Sequence, residues 1–267
     1  MLEAITPLIL TYNEAPNIDR TIQQLTWAKQ IIVIDSYSTD ETLAILKSYS
    51  QVQLFQRAFD SFANQCNFGL SKIKSTWVLS LDADYVLSQK LIDEIKALPD
   101  NPEIDGYSIP FQHCIFGKPL RGTLLPPRKV LYRTAQATYE DDGHAHRVKI
   151  TGTSQSLIHY IRHDDRKPLS RWLWSQEKYT VLEVKKLLET PYESLGLSDK
   201  VRQKTVLAPV LSLIYVLILK GCILDGWRGI YYAFLRVIAE SLIVIYRIQA
   251  EQISTQPENT KFIKTQS

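Results

Sequence analysis

Eight residues, Trp77-Val78-Leu79-Ser80-Leu81-Asp82-Ala83-Asp84, set the tightest limit on what this chain can become. Residues 77–81 are apolar enough to be buried on both faces, and such strands belong to parallel sheets covered by helices. An ionised carboxylate is too costly to bury unpaired. Asp82 and Asp84 are therefore expected at the carboxyl end of the strand, where open α/β sheets bind their ligands. With one residue between them, their side chains leave the same face of an extended chain. That pair suits a hard divalent cation, which can in turn hold a diphosphate.

The same alternation recurs upstream. Ile5 to Leu10 reads as a strand, followed by Thr11-Tyr12-Asn13-Glu14 and by Pro16, which starts a helix well. Gln30 to Asp35 is a second buried strand that ends on an aspartate. Ser38-Thr39-Asp40-Glu41 has the form of a capping box ahead of a helix carrying Leu43, Leu46 and Tyr49. A strand over Val52–Phe55, a helix over Phe62–Ile73 and a helix over Ser88–Leu98 complete four βα repeats. That order predicts an α/β fold with a doubly wound, mostly parallel sheet.

Residues 1–100 thus form one α/β half. From 101 to 167 the pattern changes to short β-type segments, Tyr107–Ile109, Lys129–Tyr132, Val148–Ile150 and Leu157–Ile161, broken by proline and glycine. This reads as a second, mixed half with long loops, and such loops tend to carry function.

Residues 168–250 differ in kind: a helix from Pro168 to Leu188 precedes two apolar stretches. Residues 206–219 hold no charge but include Pro209 and fall short of the about twenty apolar residues that a bilayer crossing needs. Residues 230–246 are apolar except for a stripe of Arg236, Glu240 and Arg247 at spacings of four and seven. Two packings satisfy that pattern: a buried helical hairpin, or a pair lying in a membrane interface. Lys200, Arg202, Lys204, Lys220 and Arg228 favour the interface. Residues 251–267 are polar and read as a frayed, disordered tail.

With 267 residues, 45% hydrophobic and 22% charged, the chain can bury a substantial core. A net charge of +3 without a Lys/Arg cluster excludes nucleic acid as a partner. Cys66, Cys114 and Cys222 lack zinc-ligand or CxxC spacing and read as free thiols of a reducing compartment. No basic stretch precedes an apolar one at the start, so a signal peptide is not expected and the catalytic part should face the cytoplasm.

Glu14 after the first strand, Asp35-Ser36 after the second and Asp82-Ala83-Asp84 after the fourth all reach one sheet edge. Three acidic strand ends on one crevice are hard to explain by structure alone. Taken in order, Leu10-Thr11-Tyr12-Asn13-Glu14, Ile31 to Thr42 and Leu79 to Asp84 resemble the signature blocks of family-2 glycosyltransferases. Within that family the chain looks similar to the branch of lipopolysaccharide-core β-glucosyltransferases, a placement supported by Phe62-Ala63-Asn64-Gln65-Cys66-Asn67. The resemblance is strong over about residues 5–100, looser through Tyr179 and again at Leu224-Asp225-Gly226-Trp227-Arg228-Gly229.

It implies an A-type glycosyltransferase fold and an inverting transfer of a sugar from a nucleotide-diphosphate donor, a UDP-sugar, to a hydroxyl of a lipid-linked or cell-envelope glycan. It further implies that Thr11, Asn13, Glu14, Asp35, Ser36 and Asp82 face the donor nucleotide. Asp84 would be the direct ligand of Mg²⁺ or Mn²⁺, with Asp82 as its helper and His163 as the family's late histidine; His159 is the fallback. Glu140-Asp141-Asp142 lies where the family keeps its acidic base, with Asp142 the first choice and Asp141 the second. Tyr85 stands where the branch often has an acid, and His144-Ala145-His146 stands in place of its His-Glu pair, which leaves the base uncertain by a residue or two. Arg128, Arg133 and Arg166 are candidates for phosphate or acceptor. The implied setting is the cytoplasmic face of the inner or plasma membrane, with peripheral attachment.

Two rivals differ in class. A sugar-nucleotide pyrophosphorylase needs a Gly-rich loop after the first strand, and Thr11-Tyr12-Asn13-Glu14-Ala15 has no glycine. A catalytically degenerate, membrane-associated scaffold would have no need of Asp35, Asp82 and Asp84 together.

Overall fold

The computed structural model describes residues 1–99, 101–142 and 145–254, the side chains of residues 141–147 and 254 excepted. Two units divide it, Met1–Lys167 and Pro168–Ser267. The first opens with β1 (Ile5–Thr11), α1 (Ile18–Gln23), β2 (Ile31–Asp35), α2 (Thr42–Lys47), β3 (Val52–Gln56) and α3 (Phe62–Leu70). β4 (Trp77–Asp82), β5 (Tyr85–Leu87) and α4 (Gln89–Ala97) follow. The remainder is strand: β6 (Ile104–Ile109), β7 (Phe111–Ile115), β8 (Lys118–Pro119), β9 (Arg128–Arg133), β10 (Ala137–Asp142), β11 (Ala145–Ile150), β12 (Thr153–Ser156) and β13 (Ile161–His163).

Seven strands form the main sheet in the order β12-β6-β9-β4-β1-β2-β3. β1 runs parallel to β2 and β4, β2 to β3, and β6 to β12, whereas β9 is antiparallel to both its neighbours. The expected mostly parallel α/β sheet is present. Because β6, β9 and β12 extend the sheet of β1–β4, residues 1–100 and 101–167 share one core and do not part into separate domains.

Successive side chains of a strand point to opposite faces, and that alternation builds the two cores. Ile31 and Val33 join a cluster with Ile18, Ile22, Leu46, Leu91 and Ile95 of α1, α2 and α4. Ile32 and Ile34 join Ala63 and Cys66 of α3 on the other face. Helices therefore cover both sides, as a doubly wound sheet requires. Gly69 lets α3 approach closely: a Cβ there would come within 2.4 Å of Leu8 Cδ1, and Leu8 is itself buried in β1. Gly69→Ala is expected to cost about 1–3 kcal/mol by overpacking, read as a lower urea midpoint with an unchanged slope.

Two local expectations are corrected. Of the expected strand Leu157–Ile161, only Ile161 is in a strand, as the start of β13; residues 157–160 lie between β12 and β13. The Glu94 carboxylate accepts from the backbone N–H groups of Ile158 and His159 and draws that segment into a turn. Ser38 does not cap α2, whose N-cap is Glu41. Its hydroxyl donates to Asp35 and accepts from Asn13 N–H, while Asp40 accepts from Thr42 N–H at the helix start.

The second unit is helical: α5 (Leu169–Glu189), α6 (Leu197–Lys204), α7 (Ala208–Ile214) with a π-type turn over Tyr215–Leu219, and α8 (Trp227–Ser254). α8 packs against α5, α6 and α7. By length and composition its stretch Trp227–Ile253 could cross a membrane, yet part of it is buried within the structure. Of the expected tail, residues 255–267 lie outside the described residues.

Candidate active site

Thr11 and Asp35 end two adjacent parallel strands and pair in register. Asp35 is fully buried, and protein donors fill its carboxylate. Thr11 Oγ1 donates at 3.0 Å, Ser38 N–H at 2.9 Å and Gln56 Nε2 at 3.2 Å, with the Ser38 hydroxyl as a fourth donor. Asp35 therefore has no lone pair free for a ligand. Its work is to lock the turn after β2 against the turn after β1. The lock continues outward: Ser36 N–H donates to Thr11 O, Thr39 N–H to Asn13 Oδ1 and Glu14 N–H to Thr42 Oγ1. Asn13 and Tyr37 sit at φ values of 54° and 60°, a left-handed geometry that ordinary side chains adopt only when neighbours enforce it. Ser36 accepts from Gln65 Nε2 at 3.2 Å.

The Asp82/Asp84 pair departs from its expected geometry. Asp82 is the last residue of β4, and Ala83-Asp84 turns into β5, so the two carboxylates do not project in parallel from one strand. Tyr85 is buried near Asp82, and burial first, then this negative neighbour, hold its hydroxyl well above its ordinary pKa. Asp84 is 8% exposed and meets His163 Nε2 at 3.2 Å through Oδ2. Its Oδ1 is buried and has no hydrogen-bond partner. Burial pushes the Asp84 carboxyl up, but His163 and then Lys167 outweigh it and hold the group below the usual carboxylate range. Burial lowers His163, and Asp84 reverses that to leave the imidazole above its ordinary value.

His163 is placed by strand register: it pairs with Tyr85 of β5 on one side and His113 of β7 on the other, its Nδ1 3.0 Å from His113 Nδ1. The loop after it is clamped to α1. Arg20 binds Asp164 at 2.6 Å, and Asn17, 1% exposed, donates to Glu14 and Asp165 while accepting from Arg166 N–H. That clamp brings Lys167 Nζ to within 2.7 Å of Glu14 Oε1. Glu14 thus meets Lys167 at the sheet edge where it is expected to face the donor nucleotide. Burial pushes its carboxyl up to about 7, Asp84 adding to the rise and Lys167 opposing it. The folded state then holds a proton that the unfolded chain releases, so metal-free protein should lose stability as pH rises from 4.5 to about 7. Glu14→Gln is expected to flatten that slope in denaturant midpoints measured across the window.

The other candidates separate cleanly. His159 binds Glu94 at 2.9 Å, and Arg133 stacks on Trp77 at 4.7 Å while donating to the Ile104 carbonyl, so both serve the scaffold. Arg166 is tied to Asp164. Arg128 lies close enough to Tyr85 to stabilise its ionised form. The side chains of Asp141 and Asp142 lie outside the described residues, as does His144. The backbone there is a β10–β11 hairpin with Asp141 opposite His146 and Asp142 opposite Ala145. Its base is anchored: Asn67 of α3 bonds both backbone groups of Tyr139, whose hydroxyl meets Tyr132 and Ser80.

Sequence reading missed Asn17, His113 and Lys167. Their partners lie far away in the chain: Arg20 and Asp164, which hold the loop carrying Lys167, are 144 positions apart. Among the described residues, no three His, Cys, Asp or Glu side chains form a ready-made metal cluster.

A sequence profile described as "Glycosyl transferase family 2" matches residues 8–143. A relative from Rickettsia bellii, described as an uncharacterized glycosyltransferase, is 33% identical over 108 residues, 40% of this chain and 36% of that one. The lipopolysaccharide core biosynthesis glycosyltransferase LpsC of Rhizobium meliloti is 27% identical over 120 residues, 42% of this chain and 44% of that one. Each match thus spans under half of the relative's own length. A solved mannosyltransferase from Pyrobaculum calidifontis, PcManGT in complex with GDP-Man and Mn2+, superposes with a TM-score of 0.53 over 92% of this chain and 88% of that one. At 12% identity, that is a likeness of fold.

Proposed function

The chain belongs to glycosyl transferase family 2, and from that premise we propose a metal-dependent, inverting transfer of a hexose from a nucleotide-diphosphate donor, a UDP-sugar, to a glycan hydroxyl. The observation that carries the reading is the buried, unpartnered Asp84 Oδ1 beside His163, at the carboxyl edge of β4. A carboxylate oxygen withdrawn from water without a donor is costly, and a hard cation is the partner that satisfies it.

The residues fit Mg²⁺ or Mn²⁺ held by Asp84 with His163. Such a cation supplies neutralisation of the charge that builds on the leaving diphosphate. The chain's own residues do the rest. Asp35 and Thr11 hold rigid the two turns that present Asn13 and Ser36 to the nucleotide. Lys167, fixed by Glu14, adds a positive charge to the same edge. Asp142, or Asp141, takes the proton from the acceptor hydroxyl on the face opposite the leaving group. Its hairpin is fixed by Asn67 and Tyr139, so the base would arrive on a braced element.

The acceptor in this reading is a lipid-linked or cell-envelope glycan at the cytoplasmic face of the inner or plasma membrane. The description of the LpsC relative as a lipopolysaccharide core biosynthesis glycosyltransferase and the apolar helices of the second unit support it. Thermal-shift screening against nucleotide-sugars with and without Mn²⁺, followed by transfer assays, tests the proposal. A donor that stabilises the protein only with metal, and turns over, is expected. Folded protein that binds UDP yet turns over no donor would instead favour a scaffold.

A further inference from the structure

In the helical unit α8 buries Ile243 against Val184, Leu187 and Leu195, but it also buries its charges and exposes a second apolar face. On α8 the charged stripe faces inward: Glu240 is 5% and Arg247 7% exposed. Glu240 accepts two hydrogen bonds from Arg202 of α6 and one from Arg236, and Asp199 and Lys186 extend the cluster. The outward face of the same helix is Trp227, Ile230, Phe234, Ile238, Ile245 and Ile248. A helix that packs on its own unit in water does the reverse.

The segment before α8 continues this surface. Through α7 and the turn after it, the outward residues are apolar at each helical step, among them Leu211, Ile214, Ile218 at 66% exposure and Leu219 at 72%. Leu224, 68% exposed, joins this ridge to Trp227. Isolated exposed apolar residues need no explanation, but a continuous ridge of this kind does.

Charge complementarity selects the occupant. Residues 206–224 contain no acidic side chain. Basic groups flank the ridge and lean on aromatic rings: Lys204 on Tyr192 at 4.0 Å, Lys220 on Tyr215 at 5.4 Å and Arg228 on Trp227 at 4.5 Å. Apolar side chains inward of cation-capped aromatics match the boundary between acyl chains and headgroups. We infer that the ridge formed by α7, the following turns and the outward face of α8 seats in the surface of a bilayer carrying anionic lipid. This deepens the lipid-acceptor part of the proposed function, and it rests on the second unit alone.

Sedimentation of the full chain with vesicles of phosphatidylcholine, with and without phosphatidylglycerol, tests it. The chain is expected to sediment with vesicles that contain phosphatidylglycerol. Replacing Lys204 and Lys220 together by Ser should lower the partition coefficient roughly 25-fold, about fivefold for each basic residue near an anionic surface. Leu211→Asp with Ile218→Asp should leave the protein in the supernatant with an unchanged circular dichroism spectrum; both sites are exposed, so neither change disturbs a core. Wild-type protein that stays in the supernatant overturns the inference. So does a dimer dispersed by the two Asp changes without any vesicle binding, since a second copy would then cover the ridge. The donor-induced thermal shift, read on the same samples, separates the two proposals. Vesicle binding lost with that shift intact fails this one, and the converse fails the proposed chemistry.

Discussion

Asp84→Asn is expected to remove the Mn²⁺-dependent part of the donor-induced thermal shift and to lower kcat/KM by roughly 10³-fold, about 4 kcal/mol of transition-state stabilisation. The substitution keeps shape and burial and removes charge from a carboxylate whose buried Oδ1 has no hydrogen-bond partner. His163 and Lys167 already hold that carboxylate ionised, so its charge is available to a cation throughout the neutral range. Asp82→Asn should cost less, because Asp84, not Asp82, meets His163 and carries the unpartnered buried oxygen. Steady-state kinetics and melting curves on the two variants give the comparison. Equal losses, or a metal-dependent shift that survives in Asp84→Asn, would remove the reason for naming Asp84 as the ligand.

Asp35→Ala is expected to act on stability first, by about 3–5 kcal/mol, the range for breaking a buried and fully bonded charged site. Four donors from Thr11, Ser38 and Gln56 lose their acceptor in a place water does not reach. The turns after β1 and β2 would loosen together, because the same donors bridge them. Urea unfolding reads the loss directly. A variant that binds donor poorly at full stability would instead mean that Asp35 touches the nucleotide. Asp35→Asn separates the two further: it keeps the shape and one acceptor oxygen, so it should recover part of the lost stability.

Much of the fold was legible because strand and helix periods are local. Residues 31–34 alternate between two faces, each apolar, and only a sheet covered on both sides uses such a strand. Residues 77–81 make the same demand, and β4 lies between β1 and β9 inside the sheet. The candidate site was legible as a set of strand ends but not as geometry. Ser38-Thr39-Asp40-Glu41 has the letters of a capping box, yet Asp35 and Asn13 compete for Ser38 across the turn, and they win. Leu157–Ile161 has the composition of a strand, but the Glu94 carboxylate draws all but Ile161 into a turn. Neither competitor is visible in the segment itself.

The amino-acid order by itself determined the parallel α/β core, the edge at which Thr11, Asp35 and Asp82 end their strands, and the polar stripe on the last helix, since each follows from the spacing of side chains along one element. Only the tertiary structure decided what each charge does. It filled Asp35 with donors, tied Glu14 to Lys167, parted Asp82 from Asp84 and left one Asp84 oxygen without a partner. It also turned the stripe of α8 inward and an apolar face outward. The reason is common to all of these: the energy of a charge depends on what surrounds it after folding, and those neighbours come from distant parts of the chain.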